Sequence, residues 1–173
     1  MRSLLFFVLT LSFSSAAAQG AFNRSGQFDS VVVLTIDDSS LELFPPEADR
    51  TDPVKITGRV KLTAKDVAEL HDRLNDRRSY GQSQAVTPVY DVKVQYFKKD
   101  VAADEVSICL WTNNLFATFP LNVQRQGECL CEGENGHCCT KGGISMKFKK
   151  YLIGLLERNG LPVEKEEILD FGK

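Results

Sequence analysis

Four cysteines near residue 130 are the residues in this chain best suited to chemistry. Cys129 and Cys131 precede an Asn-Gly pair, and Cys138 and Cys139 follow it. Asn-Gly favours a tight turn between two strands, so we expect a hairpin with Cys131 opposite Cys138 and Cys129 opposite Cys139. In an oxidising compartment these four thiols are disulfide candidates, and the bridges would brace the loop over residues 129–139.

The chain has five cysteines, so at least one thiol stays free or pairs between molecules. Cys109 is the candidate free thiol, because it lies within a predicted strand beside Ile108 and Leu110. A buried free cysteine usually behaves as a small apolar residue. A bridge within the loop combined with one to Cys109 is the alternative pairing.

A metal site is the second interpretation of the same loop. Its candidate ligands are Cys129, Cys131, His137 and Cys138, whose thiolates and imidazole suit zinc or copper. Zinc sites favour cysteine pairs two to four residues apart, whereas this loop has one Cys-x-Cys pair and one adjacent pair. We therefore favour disulfides and expect no cofactor.

The sequence favours a protein without catalytic residues. His71 and His137 are the two histidines that could act as a base for a cysteine nucleophile. His71 lies beside the apolar stripe of a predicted helix, which indicates a boundary side chain. The sequence contains no nucleophile elbow, zinc-protease helix, phosphate-binding loop or dinucleotide turn. Two acidic pairs are interpreted as solvated: Asp37-Asp38 and Glu166-Glu167.

The N-terminus has the layout of a secretory signal. Arg2 precedes an apolar run from Leu4 to Phe13, and Ala16 and Ala18 fit the small-residue pattern before a cleavage site. The run is about half of the ~20 apolar residues that a membrane-spanning helix needs. We therefore expect a signal peptide over residues 1–18 and export to the periplasm or the outside of the cell.

Length and charge limit the remaining functions. Cleavage after residue 18 of 173 leaves 155 residues, which is the size of one domain. The formal net charge is −2, whereas nucleic-acid binding requires clustered basic residues. The basic run Lys147, Lys149 and Lys150 is interpreted as a solvated helix face. We expect no nucleic-acid partner and no membrane span.

Hydrophobic periodicity predicts the elements in the order β-β-α-β-β-β-α. Alternating apolar residues indicate strands, and Thr63 followed by Asp66 indicates the start of a helix. A second helix is predicted from Ser145 to a stop at Asn159-Gly160. The fold class is α+β, a single antiparallel sheet with two helices packed on one face. Residues 19–30 are a flexible lead-in, and residues 31–173 form the domain.

Three segments together resemble a small family of uncharacterised exported bacterial proteins. They are a helix ending in Ser79-Tyr80-Gly81, an Ile108-Cys109-Leu110 strand motif, and a closing amphipathic helix after a Gly-rich segment. Members often carry a second cysteine three residues after the first, where this chain has Thr112. The resemblance therefore implies no Cys-x-x-Cys redox pair, and the family brings no assigned activity.

The sequence favours a small exported binding or inhibitory module whose partner is another protein. Two surfaces are expected to meet the partner, namely the Pro-rich loop from Leu43 to Asp52 and the cysteine loop. A braced loop loses little conformational freedom on binding. The alternative hypotheses are a metal-handling or thiol-redox protein that uses the loop over residues 129–139, and a small hydrolase without a recognisable motif.

Overall fold

The computed structural model describes residues 27–37, 55–82, 90–121, 129–131 and 138–170. For residues 129–131, 138–141, 166, 167 and 170 it describes the backbone and not the side chain. The predicted signal peptide, the Pro-rich loop and His137 lie outside the described residues. The predictions made for them therefore stay predictions.

The described residues form the predicted α+β fold. The strands are β1 (Ser30–Asp37), β2 (Lys55–Lys61), β3 (Tyr80–Gly81), β4 (Val92–Lys98), β5 (Val101–Cys109), β6 (Asn114–Ala117), β7 (Cys129–Cys131) and β8 (Cys138–Ile144). The α-helices are α1 (Ala64–Asn75), α2 (Met146–Arg158) and α3 (Lys165–Asp170).

The described strands make one antiparallel sheet in the order β2-β1-β4-β5-β6-β8-β3, and β7 pairs with β8. The predicted antiparallel sheet is confirmed, and β4, β5 and β6 are neighbours in space as well as in sequence. The predicted order of elements lacks the strands β3, β7 and β8 and the helix α3. Strands β3 and β7 and helix α3 are too brief to give a periodic pattern, and β8 contains the glycine pair Gly142-Gly143, which is unusual within a strand.

One face of the sheet carries the main core. Alternate residues of β1, β4 and β5 point to this face, as the two-residue period of a strand requires. Leu70 and Leu74 of α1 and Leu152 and Leu156 of α2 belong to the same buried cluster. Both predicted helices therefore pack on one face of the sheet. Among the described residues, no helix is long and apolar enough to cross a membrane.

The predicted starts of both helices and the predicted end of α2 are confirmed, whereas α1 ends at Asn75, before Ser79-Tyr80-Gly81. The Thr63 hydroxyl accepts a hydrogen bond from the Asp66 amide at 3.1 Å, and the Ser145 hydroxyl accepts one from the Phe148 amide at 3.3 Å. Each bond satisfies an amide that has no partner within the first turn of the helix. Helix α2 ends at Arg158, followed by Asn159 and Gly160 as predicted.

The predicted solvated lysine face is wrong for Lys149, whose exposed fraction is 0%. Lys147 and Lys150 are exposed. Lys149 lies three and four residues before the buried Leu152 and Ile153, so it belongs to the buried side of the helix. Helix α3 closes over this side, and the Lys149 Nζ donates to the Ile168 carbonyl oxygen at 3.4 Å.

The predicted cysteine hairpin is half confirmed. Cys131 lies opposite Cys138, but Cys129 lies opposite Thr140 and Cys139 lies opposite Leu130. In a regular antiparallel pair, each residue of one strand lies opposite a single residue of the other strand. Two cysteines spaced by two residues cannot both face two adjacent cysteines without a bulge.

Candidate functional site

A cleft of about 420 Å³ opens on the helix-bearing side of the sheet. It lies at the end where β1 and β5 finish and β4 begins. We call it the sheet-end cleft. Its described lining residues are Thr35, Ile36, Asp37, Thr57, Asp91, Val92, Leu110, Trp111, Leu156, Pro162, Val163, Glu164 and Ile168.

The turn after α2 builds one wall of the sheet-end cleft. Gly160 has a φ of 69°, and the Gly160 and Leu161 amides donate to the carbonyl oxygens of Glu157 and Leu156 at 3.0 and 2.9 Å. These two bonds define a Schellman motif, which favours glycine at the left-handed position. The turn directs the following residues back across the sheet, so Pro162 and Val163 line the cleft.

A glycine in β2 lets this wall approach the sheet. A Cβ atom added to Gly58 would lie 2.7 Å from the Leu161 Cδ2 atom, 2.7 Å from the Thr35 Oγ1 atom and 2.9 Å from the Pro162 Cδ atom. These distances are far below van der Waals contact, and two of the neighbours lie in or next to the cleft wall. Gly58 is therefore required for the close packing that shapes the cleft.

A β-bulge brings a second strand to the cleft. Thr35 pairs with Gly58 and Ile36 pairs with Ile56, so Thr57 is an extra residue in β2. The Thr57 hydroxyl donates to the Thr35 hydroxyl at 3.0 Å. The bulge also places Ile56 opposite Ile36, so Ile56 does not share a face with Val60 and is 54% exposed.

Asp91 is the central polar residue of the sheet-end cleft. Its Oδ1 atom accepts a hydrogen bond from the Leu110 amide at 2.9 Å. Its backbone amide donates to the Ile108 carbonyl oxygen at 3.1 Å, and its carbonyl oxygen accepts from the Ile36 amide at 2.9 Å. Asp91 thus joins three strands at the point where they meet, and its carboxyl position is fixed.

Burial shifts the protonation of this carboxyl group. Loss of solvent raises the pKa of Asp91 from 3.8 to about 6, although backbone hydrogen bonds, with the Leu110 amide first among them, and the charge of Lys149 act in the opposite direction. Burial disfavours the ionised form of an acid. Clefts that hold acids with raised pKa values are candidates for functional sites.

Carboxylates are the charged groups of the described lining. Asp37, Asp91 and Glu164 all line the cleft. Lys55 reaches Asp37 at 3.4 Å, but the Lys55 side chain is 74% exposed. An exposed ion pair of this kind neutralises little of the field inside a cleft. The described lining therefore combines negative charge with the apolar surfaces of Leu110, Trp111 and others.

Lys149 lies behind the cleft wall and is not among its lining residues. Burial lowers the pKa of Lys149, and the charge of Asp91 acts to raise it. The ammonium group therefore attracts Asp91 from inside the core. Its attraction is insufficient to offset the burial of Asp91, whose pKa stays raised.

The predicted free thiol does not lie in the described lining of the cleft. Cys109 is 1% exposed and forms no disulfide with the described residues. Its Sγ atom accepts a hydrogen bond from the Thr112 amide at 3.4 Å.

His71 is more buried than the sequence indicates. Its exposed fraction is 8%, and its ring stacks on Tyr96 with the centroids 5.7 Å apart. Burial lowers the pKa of His71, while Asp72 acts to raise it. The imidazole is a core residue of α1 and is not among the described lining residues of the sheet-end cleft.

The loop ligands of the metal hypothesis are not tested. The side chains of Cys129, Cys131, Cys138 and Cys139 fall outside the described atoms, as does all of His137. Where side chains are described, no group of three His, Cys, Asp or Glu residues could hold a metal ion. The metal site stays a prediction for the cysteine loop.

A second depression, between α1 and α2, is already occupied by its own charges. Arg158 makes ion pairs with Asp66 at 2.9 Å and with Glu69 at 3.1 Å. Arg73 and Arg158 lie over the Tyr151 ring at 5.2 and 5.5 Å from its centroid. These contacts join the two helices, so this depression is structural.

The sequence analysis missed Asp91, Trp111 and Lys149. Asp91 had the pattern of a solvated residue between Tyr90 and Val92, and its cleft forms only when distant segments meet. The helical spacing from Lys149 to Leu152 and Ile153 was the one signal that could have indicated a buried lysine.

The chain matches no protein-family model, no curated protein and no solved structure. Its function is therefore inferred from the fold and from the sheet-end cleft.

Proposed function

We propose that this protein is an exported, non-enzymatic binding module whose ligand enters the sheet-end cleft. The observation that carries the proposal is the fixed carboxyl group of Asp91, half-buried in a mixed polar and apolar cleft that also contains Trp111. Binding sites are typically concave and largely apolar, with a few polar groups held in place. The volume falls in their usual range of roughly 300–1,000 Å³.

The composition of the lining gives no support to the cysteine- and histidine-based catalysis that the sequence analysis considered. The described lining residues include carboxylates and threonines but no cysteine, serine, histidine or lysine. Nucleophilic catalysis needs a nucleophile within hydrogen-bond reach of a base. Cys109 and Lys149 are both buried, at 1% and 0% exposure, and neither is among the described lining residues.

Export and the cysteine brace remain parts of the proposal that depend on the sequence. The apolar N-terminal run supports secretion, which would expose the cysteines to an oxidising compartment. There the Cys131 and Cys138 thiols would lose two protons and two electrons to the disulfide of an oxidoreductase, which becomes a dithiol. The metal-handling alternative uses the same loop, and no described contact favours it.

The test is a titration of the exported, ¹⁵N-labelled protein with small fragments that share one carbon skeleton and differ in charge. We expect saturable shifts in the amide signals of Ile36, Asp91, Leu110 and the Trp111 indole, because these groups line the cleft. Mass spectrometry should recover every fragment unchanged. Shifts that cluster around Tyr151 instead, or chemical conversion of a fragment, would contradict the proposal.

A further inference from the structure

We infer that the sheet-end cleft binds a guanidinium group on an aliphatic stem, presented as an arginine side chain by a partner protein. This inference rests on the proposed function and names the class of ligand. It goes further than the general binding role because it assigns Asp91 as the counter-ion, Trp111 as the stacking surface and the apolar wall as the contact for the stem.

Charge complementarity is the first argument. The three charged residues of the described lining are Asp37, Asp91 and Glu164, and all are acids. An anionic ligand would meet like charges from β1, from the start of β4 and from the segment before α3. A cationic ligand would meet opposite charge from all three directions, which favours association and orientation.

The position of Lys149 decides whether that negative charge is already neutralised. The lysine is buried behind α3 and hydrogen-bonds to the Ile168 carbonyl oxygen at 3.4 Å. No ion pair joins Lys149 to Asp91 among the described side chains at a distance of 4.0 Å or less. Among the described side chains, Asp91 is therefore fixed in the cleft without a cation in direct contact.

The apolar part of the lining favours arginine over a small inorganic cation. Leu110, Trp111, Val163 and Ile168 line the same cleft as the carboxylates. A guanidinium group is planar and weakly hydrated, so it stacks on aromatic rings and enters a half-buried site more readily than an ammonium group does. Its aliphatic stem can cover apolar surface.

Trp111 provides the measurement, since it is the single tryptophan of the chain. The exported protein is titrated with n-butylguanidinium and, separately, with its neutral isostere n-butylurea, and Trp111 fluorescence is recorded at pH 7.5. We expect a saturable change with n-butylguanidinium and none with n-butylurea at the same concentrations. The two probes have similar shapes, so the comparison isolates the charge.

Variants test the role of Asp91. Asp91→Asn keeps an acceptor for the Leu110 amide and should weaken n-butylguanidinium binding roughly 10- to 100-fold, the usual effect of losing a charge-assisted hydrogen bond. Asp72→Asn removes the same charge from an exposed position of α1 and should bind as the natural protein does. Circular dichroism of both variants checks that they fold.

Each outcome decides a different claim. Equal binding of n-butylurea, or unchanged binding by Asp91→Asn, overturns the guanidinium assignment and leaves the cleft as a binding site. If Trp111 fluorescence does not change with either probe, this inference is overturned. If the amide signals of the cleft do not shift in the fragment titration, the proposed function is overturned as well.

A peptide tests whether the guanidinium group is presented by a protein. Acetyl-Gly-Arg-Gly amide should bind at least as tightly as n-butylguanidinium. Its exclusion would contradict a protein partner and indicate a free small molecule.

Discussion

A half-buried carboxyl group such as Asp91 lowers the stability of a folded protein whenever it is ionised. The pKa of Asp91 in the folded chain is about 6, against 3.8 when it is exposed. The folded state therefore holds this proton more tightly than the unfolded state does. Stability is unaffected below pH 4, falls as pH rises from about 4 to 6, and is lower by about 3 kcal/mol at neutral pH.

Asp91→Asn should remove this penalty, because asparagine stays neutral and can still accept from the Leu110 amide. We expect the variant to be about 1–3 kcal/mol more stable than the natural protein at pH 7 and equally stable at pH 4. Urea unfolding at both pH values measures the difference. A variant that is equally or less stable at pH 7 would contradict the assigned burial of the charge.

The individual residues of the cleft were the part of the structure that the sequence predicted least well. Asp91 depends on the amide of Leu110, which lies 19 residues away, and no local pattern reports such a contact. The sequence analysis assigned chemistry to cysteines because their types and spacing are visible in a linear chain. The residues of the cleft have ordinary types, and only the fold brings them together.

At the scale of elements, the close approach of the turn after α2 to β2 forms the cleft wall. Gly58→Ala should force this turn away from the sheet, because the new methyl group would overlap with Leu161, Thr35 and Pro162. We expect a loss of about 1–3 kcal/mol in the free energy of unfolding, the usual cost of overpacking. A change in Trp111 fluorescence should accompany it.

Gly154→Ala is the matched control in the middle of α2. A Cβ atom there has no neighbour within 4 Å, and alanine is favoured over glycine in a helix by roughly 0.5–1 kcal/mol. The control should therefore be slightly more stable than the natural protein. If both alanine variants behave alike in urea unfolding, the close contact at Gly58 does not shape the cleft.

The hairpin of β7 and β8 predicts one disulfide and excludes others. Directly opposite Cα atoms in an antiparallel pair lie about 4.5–5.5 Å apart, which suits a bridge between Cys131 and Cys138. Cys109 aligns with Gly143 through Asn114, four residues along β8 from Cys139. That distance of roughly 14 Å along the strand is too long for a bridge to Cys109.

Proteolysis of protein that was produced in an oxidising compartment and handled without reductant, followed by mass spectrometry, checks the connectivity. We expect a peptide pair linked through Cys131 and Cys138, and an alkylated Cys109 only after unfolding, since that thiol is buried. A bridge between Cys129 and Cys139 would show that the hairpin register differs in solution. Four reduced thiols with bound zinc or copper would instead support the metal hypothesis.

The elements themselves were largely predictable, because their signals are local. The caps at Thr63 and Ser145, the stop at Gly160 and the alternation in β4 and β5 each depend on residues a few positions apart. The bulge at Thr57 and the burial of Lys149 were not predictable in this way. Both result from packing between segments that are distant in sequence.

At the scale of the whole molecule, the sheet and its helices act as a rigid support for one cleft. Apolar residues from β1, β4, β5, α1 and α2 share one buried cluster. The carboxyl group of Asp91 is held at the edge of that cluster by the strands that contribute to it. A site built on regular elements is better fixed than one built on loops, which suits selective binding.

The central claim is that Asp91 binds a cation in its ionised form, and calorimetry of n-butylguanidinium binding at pH 6 tests it most directly. About half of the Asp91 carboxyl groups are protonated at that pH, so binding should release up to about 0.5 proton per molecule. Two buffers of different ionisation enthalpy measure this release, and Asp91→Asn should abolish it. Binding without proton release by the natural protein would contradict the account.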